Sequence, residues 1–126
     1  MREIEFRSKD EYGNWIYGLL TGNQYNLNEY AIFTQPYHEI YPIEKETIGQ
    51  YTGLRDKNGV KIFEGDIVKI GKILWKVEWF EDFCEFRLIN VSNESNKSFL
   101  NYYMCKYDLE VIGNIYDNPE LLEREK

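Results

Sequence analysis

His38 is the chain's single histidine, and it is the first residue to weigh for chemistry. A catalytic histidine needs a nucleophile or a paired acid within hydrogen-bond reach. His38 sits between Tyr37 and Glu39 in a proline-containing stretch, and the sequence supplies no such partner. It reads as a solvent-exposed loop residue. Cys84 and Cys105 fit no metal-binding spacing. A reactive thiolate needs an electropositive, accessible setting, whereas Glu81, Asp82 and Glu85 make the surroundings of Cys84 negative. Cys84 also alternates with Phe86 and Leu88, which predicts a place on the apolar face of a strand. Asp56, Glu64 and Asp66 could hold a divalent cation, but their spacing departs from an EF-hand loop. Turn-forming and strand-capping roles account for them more simply. The expectation is a protein that is not an enzyme, with no catalytic residues, no metal and no cofactor. A metal-dependent hydrolase ranks last among the readings.

Two binding surfaces are candidates. Arg55, Lys57, Lys61 and Lys69 make one segment locally basic, with Tyr51 and Phe63 interleaved. Such a mixture of cations and rings can contact nucleic acid. The formal net charge of −7 works against broad attraction to phosphate backbones. Nucleic acid is therefore the second reading, and a solvated mixed-charge hairpin is its plain alternative. Tyr25, Tyr30, Tyr37 and Tyr41 gather in another region. Tyrosine buries area yet keeps a polar tip, which suits interfaces. The first reading is thus a contact surface for a protein partner or for a second copy of the chain, as a homo-oligomer. The alternative is that these tyrosines cover the chain's own sheet and loops.

The elements that must position these residues are mostly strands. A chain of 126 residues suits one domain with a modest core, and its 17% aromatic content suits β-structure. Ile4 and Phe6 alternate with Glu3, Glu5 and Arg7. Asp10-Glu11-Tyr12-Gly13-Asn14 reads as a turn. Trp15-Ile16-Tyr17-Gly18-Leu19-Leu20 completes an N-terminal hairpin. Residues 23–28 look like a polar loop, Tyr30-Ala31-Ile32-Phe33 like a strand, and residues 35–46, with Pro36 and Pro42, like extended irregular chain.

Residues 47–51 suit a strand, and Asp56-Lys57-Asn58-Gly59 suits a tight turn, because Asn and Gly tolerate positive φ. Ile73, Trp75, Val77 and Trp79 alternate with Leu74, Lys76, Glu78 and Phe80, the cleanest two-residue period in the chain. Cys84, Phe86 and Leu88 should form its antiparallel partner after a turn at Glu81-Asp82. Residues 93–98 read as a surface loop, residues 102–107 as strand or short helix, and residues 109–116 as a last strand broken by Gly113. Asn118 and Pro119 then suit the start of a helical turn, with Leu121 and Leu122 placed to dock it.

These short strands around Glu64-Gly65-Asp66-Ile67-Val68 predict a mainly β protein. The expected architecture is a small antiparallel SH3-like β-barrel with an N-terminal β-hairpin extension and a short C-terminal helical turn. In a single domain, residues 1–46 would form the hairpin and loop region, 47–118 the barrel-like core, and 119–126 the helical tail. No stretch has the apolar length of a membrane span and the N-terminus has no signal-peptide core, so a cytoplasmic location is expected.

Three stretches carry a family resemblance. They are Met1-Arg2-Glu3-Ile4-Glu5-Phe6-Arg7, residues 48–69, and Val111-Ile112-Gly113-Asn114-Ile115-Tyr116-Asp117-Asn118-Pro119-Glu120-Leu121-Leu122. Together they resemble the YopX protein family, which is encoded mainly by bacteriophages and by prophages of Gram-positive bacteria. Residues 24–46 and 90–106 carry no comparable signature. The resemblance implies a phage or prophage origin, a small β-rich fold in the host cytoplasm, and no catalytic residues. It carries over no biochemical activity.

Overall fold

Side-chain oxygens that capture backbone amides set most of the turns in this fold. The structure is a computed structural model and describes residues 3–23, 26–34, 39–101 and 108–124. The chain divides into two compact units, Met1–Tyr51 and Thr52–Lys126.

In the first unit, β1 (Phe6–Lys9) and β2 (Trp15–Asn23) form the expected hairpin, with Lys9 opposite Trp15 and Phe6 opposite Gly18. Asp10 Oδ1 accepts the amides of Tyr12 and Asn14, both at 2.9 Å, and so holds the turn. β2 then pairs antiparallel with β3 (Asn26–Phe33), and β3 pairs with β4 (Ile40–Pro42). The strand order is β4-β3-β2-β1, and the start of β5 (Gly49–Arg55) adds beside β1. Gly18 marks the point where β2 passes from one partner to the other. A Cβ there would lie 2.2 Å from the Phe33 carbonyl oxygen. The strand can approach that closely only because the side chain is absent.

A 3-10 turn at Lys45–Thr47 precedes β5. Thr47 Oγ1 accepts the Lys9 amide at 2.8 Å, and Ser8 Oγ donates to the Glu44 carbonyl at 3.0 Å. These bonds fasten the turn to β1. Ala31, Ile32 and Ser8 are fully buried. Of residues 23–28, expected as a loop, Asn23 instead ends β2 and residues 26–28 begin β3, with Asn23 opposite Asn26; residues 24 and 25 lie outside the described residues. Cross-strand pairing here outweighs a polar local composition.

In the second unit, β6 (Lys61–Phe63), β7 (Asp66–Ile70), β8 (Ile73–Phe80), β9 (Glu85–Asn90), β10 (Lys97–Phe99) and β11 (Leu109–Asn114) precede a short helix, α1 (Glu120–Arg124). Five of these strands form an antiparallel sheet in the order β10-β9-β8-β7-β11. The two-residue period of β8 places Trp75 and Val77 in a core with Ile62, Val68, Leu88 and Leu109. A second cluster joins Ile67, Leu74 and Val91, and Ile115, Leu121 and Leu122 pack against it. The leucines of α1 therefore dock as expected.

The protein is mainly β, with a short C-terminal helix. The SH3-like barrel does not form. Among the described residues the sheet ends on β10 and β11, which do not pair with each other. Barrel closure requires the two outer strands to meet in a consistent stagger. Here β10 has three residues, and β11 shifts register between Val111 and Gly113. Cys84 also differs from its expected place. It is exposed, and it ends a 3-10 turn at Glu81–Phe83 in the left-handed region, at φ 49°. The strand starts one residue later, at Glu85, so Cys84 never joins the face it shares in the sequence pattern.

Candidate functional site

The acids of the central segment serve the backbone. Asp56 is buried, and its Oδ1 accepts the amides of Asn58 at 2.8 Å and Val60 at 2.9 Å. Its Oδ2 accepts the amide of Val111 at 2.9 Å. Asp66 is equally buried, and its Oδ2 accepts the Phe63 amide at 2.7 Å. Gly65 takes φ +91°, donates to Val77 O and accepts from the Ile115 amide, both at 2.9 Å. Near the C-terminus, Asn114 Oδ1 accepts the amides of Tyr116 and Asp117, and Asn118 Oδ1 accepts that of Asn114. The side chain of Asn118 thus turns back toward the strand. Among the described residues, no three of His, Cys, Asp and Glu gather as a metal-binding group. His38 and Cys105 lie outside the described residues.

The four basic candidates do not converge on one face. Arg55 Nη1 donates to the Gly59 carbonyl of its own turn at 3.0 Å. Lys61 is half-buried in β6. Lys57 and Lys69 do share a groove, but Asp108 and Glu110 line it with them. Lys57 Nζ lies 3.6 Å from Glu110 Oε2, and Lys69 stands opposite Glu110 in the β7–β11 register. Tyr51 and Phe63, the rings interleaved with these cations in the sequence, are both buried. They present no stacking face to a base.

Of the four tyrosines, Tyr25 and Tyr37 lie outside the described residues. Tyr30 and Tyr41 belong to β3 and β4. Tyr41 stands opposite Ile32, and Tyr30 is two residues before Ile32, so both occupy one face of the hairpin. Lys45 Nζ lies 5.8 Å from the Tyr30 ring centroid. The Tyr41 hydroxyl donates to the Glu39 carboxylate, which raises its pKa above the usual tyrosine value through that bond. Tyr12, which reads in the sequence only as a turn residue, joins Tyr41 in lining a cavity of about 320 Å³ with Asp10, Glu11 and Pro42.

The same unit carries an apolar row that the sequence pattern did not reveal. Leu19 faces Phe33, and Phe33 faces Ile40, so the three residues stand side by side across β2, β3 and β4. Leu19 is 44% exposed and Ile40 is 49% exposed. Beside them, Ile4, Tyr17, Leu19 and Phe33 line a depression of about 330 Å³ with Glu5 and Gly18. The only hint in the sequence was that Tyr17 and Leu19 are both apolar at alternate positions.

The family model described as YopX protein matches residues 5–123, nearly the whole chain. No curated protein matches the chain at a significant level. Among solved structures, the chain is similar to one described as the crystal structure of protein EF1440 from Enterococcus faecalis. The two are 24% identical, with a TM-score of 0.52, over 97% of this chain and 99% of that one. That likeness speaks to the fold alone. Among the described residues, no helix is long and apolar enough to cross a membrane.

Proposed function

The chain belongs to the YopX protein family, and from that premise we propose that it is a non-enzymatic accessory protein of phage or prophage origin that acts in the host cytoplasm through protein contacts. The observation that supports this reading is the apolar row of exposed Leu19, half-buried Phe33 and exposed Ile40, extended by Tyr17 and Ile4. Contiguous apolar side chains on a soluble surface usually mark a contact surface. The sheet edge is a poorer candidate, because β4 has three residues and ends in Pro42. A short edge strand with proline resists strand addition. The partner therefore packs face-on, and it is either a second copy of the chain or another protein.

Light scattering across a concentration series, with affinity capture from host lysate, tests this reading. Association that Leu19→Glu removes, with the melting temperature unchanged, is the expected result. A strict monomer that retains no protein overturns it. Nucleic-acid contact through residues 51–69 is the weaker reading, because Lys57 and Lys69 share their groove with two acids. A gel-shift titration at low salt with single- and double-stranded DNA and RNA decides that alternative.

A further inference from the structure

We propose that the cavity lined by Asp10, Glu11, Tyr12, Tyr41 and Pro42 is a recognition site for one basic side chain, lysine or arginine, presented by a partner protein. The cavity measures about 320 Å³, at the lower end of the roughly 300–1,000 Å³ of ligand pockets. It shares no lining residue with the Leu19–Phe33–Ile40 row, so the two surfaces stand or fall separately.

The chemistry of the walls selects the occupant. Tyr12 and Tyr41 supply aromatic faces, which attract a cation through the ring quadrupole. The Tyr41 hydroxyl donates to the Glu39 carboxylate. A phenol that donates to an anion gains electron density in its ring, which strengthens that attraction. Pro42 and the two rings offer apolar surface to the methylene stem of a lysine or arginine, leaving its charged head at the rim. Asp10 and Glu11 also line the cavity, and their negative charge favours a cationic occupant.

Asp10 is held in place before any ligand arrives, because its Oδ1 already accepts the Tyr12 and Asn14 amides. Preorganisation of this kind lowers the cost of binding. An anionic or phosphorylated ligand would meet like charge from Asp10 and Glu11, whereas a cation meets opposite charge. Two cations of the same unit are engaged with other rings: Lys9 lies 5.3 Å from the Trp15 centroid and Lys45 lies 5.8 Å from that of Tyr30.

Fluorescence polarisation with three labelled peptides of equal length tests the proposal. One alternates glycine with arginine and lysine, one replaces every basic residue by glutamine, and one is proline-rich. The basic peptide should bind, and the glutamine and proline-rich peptides should not. Tyr12→Ala and Tyr41→Leu should each weaken binding about three- to fivefold, as expected for loss of one cation–π contact. Glu11→Gln should weaken it about twofold. Glu94→Gln makes the same charge change in the other unit and serves as the control for diffuse attraction to an acidic protein. It should leave affinity unchanged.

Tyr12 is 80% exposed, so its removal does not threaten folding. Equal loss in Glu94→Gln and Glu11→Gln, or full affinity in Tyr12→Ala, overturns the proposal. So does binding of the glutamine or proline-rich peptide with the same affinity as the basic one. Magnesium or calcium ions that shift the Tyr12 and Tyr41 ring resonances, in the absence of basic-peptide binding, would replace it with a metal site.

Discussion

Asp56 Oδ2 accepts the amide of Val111 at 2.9 Å, across 55 positions of sequence. One carboxylate therefore does two jobs. Its first oxygen closes the turn over Asn58 and Val60, and its second holds the last strand beside that turn. Two of the stretches that identify the family are joined by this residue. Their shared acids and glycines are explained by the geometry of the backbone they support.

Replacing Asp56 tests that explanation. Asp56→Ala leaves three backbone amides without their acceptor and should lower stability by about 2–3 kcal/mol. Asp56→Asn keeps one acceptor oxygen for the turn but presents an NH₂ group toward the Val111 amide. It should cost about 1–2 kcal/mol. Urea denaturation followed by tryptophan fluorescence measures both. An alanine variant as stable as the parent would remove the carboxylate from its structural role.

Gly18 and Gly22 form an internal comparison within β2. A Cβ at Gly18 would lie 2.2 Å from the Phe33 carbonyl oxygen, whereas one at Gly22 meets nothing within 4 Å. Backbone cannot move aside as a flexible side-chain tip can. Gly18→Ala should therefore destabilise the β2–β3 pairing by about 1–3 kcal/mol, as overpacking does. Gly22→Ala should stay within about 0.5 kcal/mol of the parent. Thermal melts of the two variants check the contrast, and equal losses would contradict the close approach.

Sequence patterns revealed structure where one strand carries its own signal. The period of Ile73, Trp75, Val77 and Trp79 announced β8, and it correctly put Trp75 and Val77 in the core. The same rule misplaced Cys84, because the spacing of Cys84, Phe86 and Leu88 runs on through a turn. A left-handed non-glycine residue at that turn has no periodic signature. The apolar row of Leu19, Phe33 and Ile40 was hidden for a different reason. It exists only once three strands adopt a particular register, and no single strand encodes that register. Tyr12 and Tyr41 come to line one cavity only through the fold, since they lie far apart in sequence.

Glu39 should control the ionisation of Tyr41. The hydroxyl donates to the Glu39 carboxylate, and that bond, with the nearby negative charge, holds the phenol above its usual value. Donation stabilises the protonated phenol, so the proton leaves only at higher pH. Glu39→Gln removes the anion and should bring the Tyr41 titration down toward the ordinary tyrosine value of about 10. Ring-labelled tyrosine NMR across alkaline pH follows the single residue. An unchanged titration would show that Glu39 does not govern the phenol.

Arg87 organises the outer face of the second unit. Its guanidinium lies 4.3 Å from the Phe83 ring centroid, 5.0 Å from Phe99 and 5.3 Å from Phe80. Nε donates to Glu85 Oε1 at 2.8 Å, and Nη2 lies 2.6 Å from the same oxygen. The guanidinium thus contacts three phenylalanine rings while its own charge is paired, and Phe83 and Phe99 still remain 62% and 58% exposed. Arg87→Ala should expose those rings further, costing about 1–2 kcal/mol through lost cation–π contact and packing. It should also raise binding of an apolar dye and self-association. Arg87→Lys keeps the charge but loses the stacking plane and the forked donors, so it should fall between parent and alanine. Glu85→Gln removes only a partly exposed ion pair and should cost less than about 1 kcal/mol. Dye fluorescence and thermal melts rank the three variants. An alanine variant matching the parent in both would show that Phe80, Phe83 and Phe99 need no cover from Arg87.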